Sequence, residues 1–393
     1  MSSVSTGSPP EEAAEHATPV AIPVLLIAPS HNILGGQAVQ ASRLMSVLGE
    51  VPGLTMTFFA IGPQPPKALA WIRKIPYVRT LFSFLLYNFR LAFESRKHDI
   101  LHIFSAGLTS YTLWTIPALL FGKLHGKRLI VNYRDGQAEE HLSSWRSAIA
   151  TLRLADRIVA PSSFLVDVFA KFGLQARCIF NIIDAGQFIY RQRRKLRPVF
   201  MTNRILEPLY NVDCILRSFK IIQAKYPEAS LTIAHDGCSR PGLEKLAQEL
   251  ELAHTRFIGR VPHNKVAELY DSADIYLTTP NIDCMPGSLL ECYASGLPIV
   301  ATKVGGIPYI AFDRDTALLV DSNDHEAVAA RSLELLEDEA LVERLTNRGL
   351  EEVQRYHWRP VQAQWAALYR ELMAEKTSAA GKVKVKSEPA RYS

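Results

Sequence analysis

The sequence predicts two doubly wound α/β domains in series, facing each other across a cleft, and three observations carry that expectation. A chain of 393 residues exceeds what one ordinary core accommodates. Short apolar runs of strand length alternate along it with segments long enough for crossover helices, the pattern of parallel sheets covered on both faces. Near the middle the alternation is interrupted by Arg191-Gln-Arg-Arg-Lys-Leu-Arg-Pro198, a charged, proline-ended stretch of linker composition, and then begins again.

The first domain is expected over 21–190. Its opening strand is Pro23-Val-Leu-Leu-Ile-Ala, bounded by Pro29 and Ser30, followed by a loop with Gly35-Gly36 and a helical pattern through Leu44 and Leu48. Further strands are expected at Thr55 to Ile61, Ile100 to Phe104, Leu129 to Tyr133 and Arg157 to Ala160. The apolar stretch from Leu108 to Phe121 contains Pro117 and falls short of the ~20 residues a membrane span needs, so it is read as a buried helix.

The second domain is expected over 198–355. Its strands are read at Val199 to Met201, Ser230 to Ala234, Arg256 to Ile258, Ile275 to Thr278, Ile299 to Ala301 and Ala317 to Val320, with helices such as Val212 to Lys225 and Leu243 to Leu250 between them. The last helices, about 356–375, are expected to complete the first domain. Residues 1–20, rich in Ser, Pro, Ala and Glu without an apolar core, read as a disordered leader, and 376–393 as a disordered basic tail.

Composition narrows the function classes. The formal charge of +5 is mild, so nucleic acid is not an expected partner, and the five cysteines show no CxxC spacing that would indicate a zinc site or disulfide framework. A cytoplasmic location is expected. The basic residues are uneven, however: from Trp71 to Lys97 cations interleave with Trp71, Tyr77, Phe82, Phe84, Leu85, Leu86, Tyr87, Phe89 and Phe93. Such a segment is either a core helix or a surface that docks on an anionic membrane.

The most informative stretch is Asn281-Ile-Asp-Cys-Met-Pro-Gly-Ser-Leu-Leu-Glu291-Cys-Tyr-Ala-Ser-Gly-Leu-Pro-Ile-Val300, which follows a strand and opens a helix. Pro286 suits a first-turn position, where its missing N–H would be unpaired in any case, and the backbone N–H groups near Gly287, Ser288 and Leu289 are placed to face an anion. Asp283 and Glu291 flank that helix start. Either they cap and decorate a helix, or they accept hydrogen bonds from sugar and ribose hydroxyls with phosphates between.

With Gly305-Gly-Ile-Pro308, the glycine loop Gly35-Gly36-Gln-Ala38, Asn181-Ile-Ile-Asp184, Ala234-His-Asp-Gly237, Phe257-Ile-Gly-Arg-Val-Pro262 and the aromatic series Trp358, Trp365, Tyr369, the stretch resembles the family 4, or group 1, glycosyltransferases from Val24 to Tyr369. The resemblance implies the GT-B fold, two Rossmann-like domains, with the first on the acceptor side and the second binding a nucleotide-diphosphate sugar as co-substrate. It implies retention at the anomeric carbon and needs no metal or other cofactor. Glu291 is then expected on the ribose hydroxyls, Asp283 on the donor sugar, Gly35 and Gly36 against the diphosphate, and Arg204 on the leaving group. Met285, Pro286, Gly287, Ser288 and Val261 complete the donor site, and His102 matches a histidine common in the family beside the cleft. A histidine satisfied by backbone at a strand end is the alternative for His102.

Three positions depart from the family pattern. Asp283 stands where most relatives have Glu. Tyr210 replaces the lysine usually paired with the arginine, leaving Arg260 or the linker arginines to meet phosphate charge. Arg134 stands where a histidine is common near the reacting sugar; it cannot act as a base near neutral pH but suits binding of a phosphate or an acidic acceptor. The expected activity is glycosyl transfer to a glycan, lipid-linked or small-molecule acceptor, in the cytoplasm or on the inner membrane face. A sugar-nucleotide epimerase and a non-catalytic glycan- or partner-binding relative are the alternatives.

Overall fold

A computed structural model of the chain describes residues 21–30, 36–63, 71 and 75–386. The expected leader, Gly35, and the last residues of the chain lie outside the described residues.

The first sheet is built from β1 (Ile22–Pro29), β2 (Leu54–Ile61), β3 (Ile100–Ser105), β4 (Arg128–Tyr133), β5 (Arg157–Ala160) and β6 (Ala176–Cys178), all parallel in the order β2-β1-β3-β4-β5-β6. Between them run α1 (Gly36–Gly49), α2 (Pro76–Glu94), α3 (Leu108–Ser110), α4 (Ile116–Leu124), α5 (Ala138–Ser144), α6 (Arg146–Leu152) and α7 (Ser163–Lys171). The expected Leu108–Phe121 helix is interrupted by a π-helical turn over Tyr111–Thr115, next to Pro117, whose ring cannot supply a ladder N–H.

The second sheet holds β7 (Val199–Thr202), β8 (Ser230–Ala234), β9 (Thr255–Gly259), β10 (Ile275–Thr278), β11 (Ile299–Thr302) and β12 (Leu318–Val320), again parallel, in the order β12-β11-β10-β7-β8-β9. Its helices are α8 (Val212–Lys225), α9 (Arg240–Glu249), α10 (Val266–Ser272), α11 (Gly287–Ser295), α12 (His325–Glu337) and α13 (Glu339–Glu352). A final helix, α14 (Trp358–Lys386), returns to the first domain.

Period-two alternation explains why these runs are apolar on both faces. Along β1, Leu25 and Ile27 join one core while Val24, Leu26 and Ala28 join the other. In the second sheet Phe200, Ile275 and Leu277 lie on one side, and Met201 and Tyr276 on the other. The outer face of the first sheet is closed by α14 through Val361, Trp365, Leu368, Tyr369 and Leu372, spaced as one helical stripe.

The chain therefore crosses between domains twice. The two crossings are clipped together by a bridge between Ile183 and His357, with Ile183 N–H donating to the Tyr356 carbonyl at 3.1 Å. Beyond them the expectation of a disordered tail from 376 is corrected, since α14 continues to Lys386. Lys376 anchors it on Asp99 at 2.8 Å, and the Thr377 hydroxyl donates back to the Met373 carbonyl at 3.1 Å.

Candidate active site

Each expected site loop follows the carboxyl end of a strand, where open α/β sheets gather ligand-binding residues. The loop after β10 carries Asp283. Its Oδ1 accepts the Met285 N–H at 3.1 Å, and its carbonyl accepts the Gly306 N–H at 2.7 Å. Gly305, at φ +52, passes so close that an added Cβ would stand 2.3 Å from the Asp283 carbonyl oxygen, and one at Gly306 would stand 1.9 Å from that of Cys284. The Gly305-Gly306 pair is thus a backbone cradle for the acid-bearing loop.

Pro286 is the N-cap of α11, one position before the first helical residue rather than in the first turn. Met285 is buried, and Val261 packs against the same core. Gly287 opens the helix with no atom within 4 Å of an added Cβ, as does Gly36 at the start of α1. Neither glycine is required by packing within the protein.

Arg204 follows β7 directly. Its Nη2 pairs with Asp283 Oδ2, its Nη1 donates to Ser288 Oγ at 3.2 Å, and its guanidinium stacks over Tyr210 at 4.5 Å. Burial pulls its pKa down, but Asp283 together with Tyr276, Tyr210 and Tyr270 outweighs that and raises it. Arg204 and Asp283 are both nearly buried and neutralise each other, so Tyr210 supplies the arginine with a packing face instead of a second cation.

Glu291, on the first turns of α11, accepts the Tyr270 hydroxyl at 2.8 Å and lies 3.9 Å from Arg43 of α1. Tyr276 donates to Asn203 Oδ1 at 2.8 Å, Asn203 Nδ2 to the Tyr270 oxygen at 2.9 Å, and Tyr270 to the carboxylate, so three polar side chains feed one acid. Burial raises the pKa of Glu291, while Arg43, Tyr270 and Arg204 oppose the rise. Arg43 and Tyr270 are absent from the sequence expectation. The available signal for Arg43 is that Gln40 and Arg43 place two polar groups one turn apart on α1; both donate to the Ile182 carbonyl, at 2.9 and 3.0 Å. Beside them a cavity of about 260 Å³ opens between α1, Ile182, Asp184 and Trp358.

His102 corrects the expectation of a cleft residue. Its ring is fully buried beneath α14, stacked on Trp365 at 4.4 Å, with Nδ1 2.7 Å from the Tyr369 hydroxyl and Nε2 3.1 Å from Asn132 Nδ2. Asn132 Oδ1 accepts from Arg134 at 3.4 Å, so its amide nitrogen faces the ring and Nε2 must be the acceptor. The ring is thereby fixed neutral, and burial, with Arg134 adding to it, lowers its pKa to about 3. His102 holds Asn132, which holds Arg134.

Arg134 follows β4 and reaches the cleft. Its Nη2 donates to Asn181 Oδ1, its guanidinium stacks over Phe104 at 4.7 Å, and the Cys284 thiol donates to its carbonyl at 3.7 Å. Gly136, two residues on, abuts the acid loop, with an added Cβ 3.5 Å from the Asp283 carbonyl carbon. The two domains therefore meet where Arg134 and Asp283 lie.

The linker arginines Arg191, Arg193 and Arg197 are engaged away from the site, correcting the idea that they meet phosphate charge. Asp274 binds Arg191 at 2.7 Å and Arg197 at 2.9 Å, and Arg193, buried, donates to the carbonyls of Tyr270 and Ala273 at 3.0 and 3.2 Å. Asp313 and Asp315 have structural partners, the Leu319 N–H at 2.8 Å and Arg348 at 3.0 Å.

Residues 190–352 match the family model of glycosyl transferases group 1. The chain is 27% identical over 286 residues to a sulfoquinovosyl transferase of Arabidopsis thaliana, an alignment covering 67% of this chain and 54% of that protein. It is 26% identical over 340 residues to the N-acetyl-alpha-D-glucosaminyl L-malate synthase of Bacillus anthracis, covering 82% and 84%. The chain thus spans about half the length of the Arabidopsis relative and most of the Bacillus one. Among solved structures, HepE of Anabaena in complex with UDP superposes with a TM-score of 0.71 at 14% identity, covering 89% of this chain and 100% of that one. A sucrose-phosphate synthase of Thermosynechococcus elongatus gives 0.69 at 18% identity, covering 90% and 100%.

Proposed function

We propose that this chain, whose residues 190–352 match the family model of glycosyl transferases group 1 and whose two domains have the GT-B fold, is a glycosyltransferase that moves a sugar from a nucleotide-diphosphate donor to an acceptor hydroxyl with retention. The observation that carries this reading is the Arg204–Asp283 pair at the start of α11. An arriving diphosphate takes Arg204 and the N–H groups at Gly287 and Ser288, releasing Asp283 to accept hydrogen bonds from the donor sugar. Glu291, held by Tyr270, accepts from the ribose.

Charge develops on the leaving phosphate as the C1–O bond breaks, and a fixed guanidinium with a helix start stabilises it there without reorganisation. The new C1–O bond forms on the same face, and the acceptor proton passes to the leaving phosphate oxygen. Because the diphosphate charge is met by Arg204 and the helix, turnover is expected to be equal in EDTA and in Mg²⁺. Calorimetric titration with UDP, ADP and GDP identifies the base; a chain that binds none of them, or an Arg204→Ala variant with undiminished turnover, refutes the reading. Product analysis without acceptor separates an epimerase, which would convert donor alone.

The partner surface is read from α2. Its inner face, Ser83, Tyr87 and Leu91, is buried, whereas Tyr77, Leu81, Leu85, Phe89 and Phe93, four residues apart, are exposed by half or more, with Leu120 and Leu124 also exposed on α4. Arg79, Arg90, Arg96, Lys97 and Lys123 are exposed alongside. Among the described residues no helix is long and apolar enough to cross a membrane. Apolar bulk rimmed by cations suits the anionic face of a leaflet, which would present a lipid or lipid-linked acceptor. Flotation on phosphatidylglycerol vesicles, lost in Leu85→Ser/Phe89→Ser and weakened in Arg79→Glu/Arg90→Glu, tests it.

A further inference from the structure

Among the described residues the largely buried arginines are matched to acids with one exception. Arg204 faces Asp283, Arg43 faces Glu291, Arg128 faces Asp156 at 2.8 Å, and Arg193 shares Asp274 with its linker neighbours. Among the described residues no carboxylate lies within 4.0 Å of the Arg134 guanidinium. Its acceptors are two neutral amide oxygens, of Asn181 and, at 3.4 Å, of Asn132, and its Nε is buried with no partner. Asp135, next in sequence, turns away: its two oxygens accept the N–H groups of Gly107 at 2.9 Å and Gln137 at 3.0 Å.

The surroundings fix Arg134 without neutralising it. Phe104 supports one face of the guanidinium, and the Tyr369–His102–Asn132 series sets the amide that receives Nη1. Burial lowers its pKa to about 10, the Cys284 thiol opposing, so the cation is kept at neutral pH at a desolvation cost that no protein acid offsets. A rigid, desolvated cation beside the Asp283 loop is the arrangement that binds an oxyanion strongly and in fixed orientation.

We propose that the acceptor is an anion, carrying a carboxylate or phosphate that Arg134 receives while the acceptor hydroxyl is presented to the donor sugar at Asp283. The inference rests on the transferase reading above and names the class of its second substrate. In the transfer itself the acceptor oxygen bonds to C1, the C1–phosphate oxygen bond breaks, and the proton leaves on that phosphate; the anion at Arg134 remains unchanged throughout.

The test uses the full chain saturated with UDP and titrated separately with inorganic phosphate, succinate and, as a neutral control, glycerol. Phosphate or succinate is expected to raise the melting temperature and glycerol to have no effect, the stronger of the two anions identifying the source of charge. In Arg134→Met the anion effect is expected to weaken at least tenfold while UDP affinity stays within about twofold. Without anion that variant is expected to melt no lower than the parent, since it sheds an uncompensated charge, whereas a purely structural arginine would leave it less stable. Equal anion binding by parent and variant, or no anion binding by the parent, overturns the proposal. Should the Met variant not fold, Arg134→Gln removes the charge while keeping a polar side chain, and anion affinity unchanged there is equally fatal. Failure to bind UDP at all instead sinks the transferase reading.

Discussion

Replacing His102 by glutamine keeps both of its hydrogen bonds but removes the only proton it can gain. A glutamine oxygen accepts from Asn132 and its nitrogen donates to Tyr369, as the ring does through Nε2 and Nδ1. In the parent the ring stays neutral down to a pKa of about 3, whereas the unfolded chain protonates it near 6.5. The unfolded state thus binds the extra proton in between, so the stability from a neutral His102 is complete above pH 6.5 and is lost as pH falls toward 3. Between pH 7 and pH 4.5 the loss from this residue amounts to roughly 2 to 3 kcal/mol. Urea unfolding of parent and His102→Gln at both pH values, followed through Trp365, which stacks on the ring, isolates it, because other acids titrate alike in both proteins. The parent is expected to lose roughly 2 to 3 kcal/mol more than the variant. Equal losses, or the His102 resonance, assigned by its absence from the variant, titrating near 6.5 in the folded parent, would refute the assignment of His102 as a neutral positioning group for Asn132 and Arg134.

Tyr270→Phe keeps the ring that packs on Phe188 but removes the donor to Glu291, so UDP affinity by calorimetry is expected to fall roughly tenfold. The loss should be larger at pH 6 than at pH 8, because the variant carboxyl has a still higher pKa and only its ionised form accepts both ribose hydroxyls; a pH-independent loss would count against it. Gly305→Ala forces a side chain into a left-handed residue 2.3 Å from the Asp283 carbonyl, and at least a tenfold loss of UDP affinity is expected. Asp274→Ala strands three linker arginines around a buried site, and unfolding experiments should show a loss of about 3 kcal/mol or more. Its folded fraction is expected to bind UDP normally, since those arginines do not reach Glu291 or Asp283.

The strands were legible where burial on both faces makes an unbroken apolar run, as in β1 and β4. The edge strand β6 was not, because Ala176 and Cys178 are only partly buried, Arg177 between them is exposed, and the three carry no such run. The acid loop and α11 were readable from local spacing, since Asp283, Pro286 and Glu291 lie within one strand–helix turn. What local spacing cannot reveal is which side chains from afar complete the site. Glu291 meets Arg43 from the other domain, and His102 lies under Tyr369, 267 residues away. For that reason a histidine at a strand end read equally as cleft or core, and only the covering helix decides between them. Arg134 was conspicuous as a residue type, but its lack of an acid partner is a property of three-dimensional neighbours.

The double crossing between domains also sets the order in which the molecule can be completed during synthesis. The second domain is continuous in sequence, so its sheet and helices are all available once α13 has been made. The first domain, although begun earlier, waits for α14: Ala41, Leu44 and Leu48 of α1 cover part of the face formed by Val24, Leu26, Ile130 and Val159, and that face is completed only when Val361, Trp365 and Leu372 emerge. A nascent chain, or one cut short before α14, carries a half-covered apolar sheet face next to a finished neighbour, and there chaperone capture and aggregation concentrate.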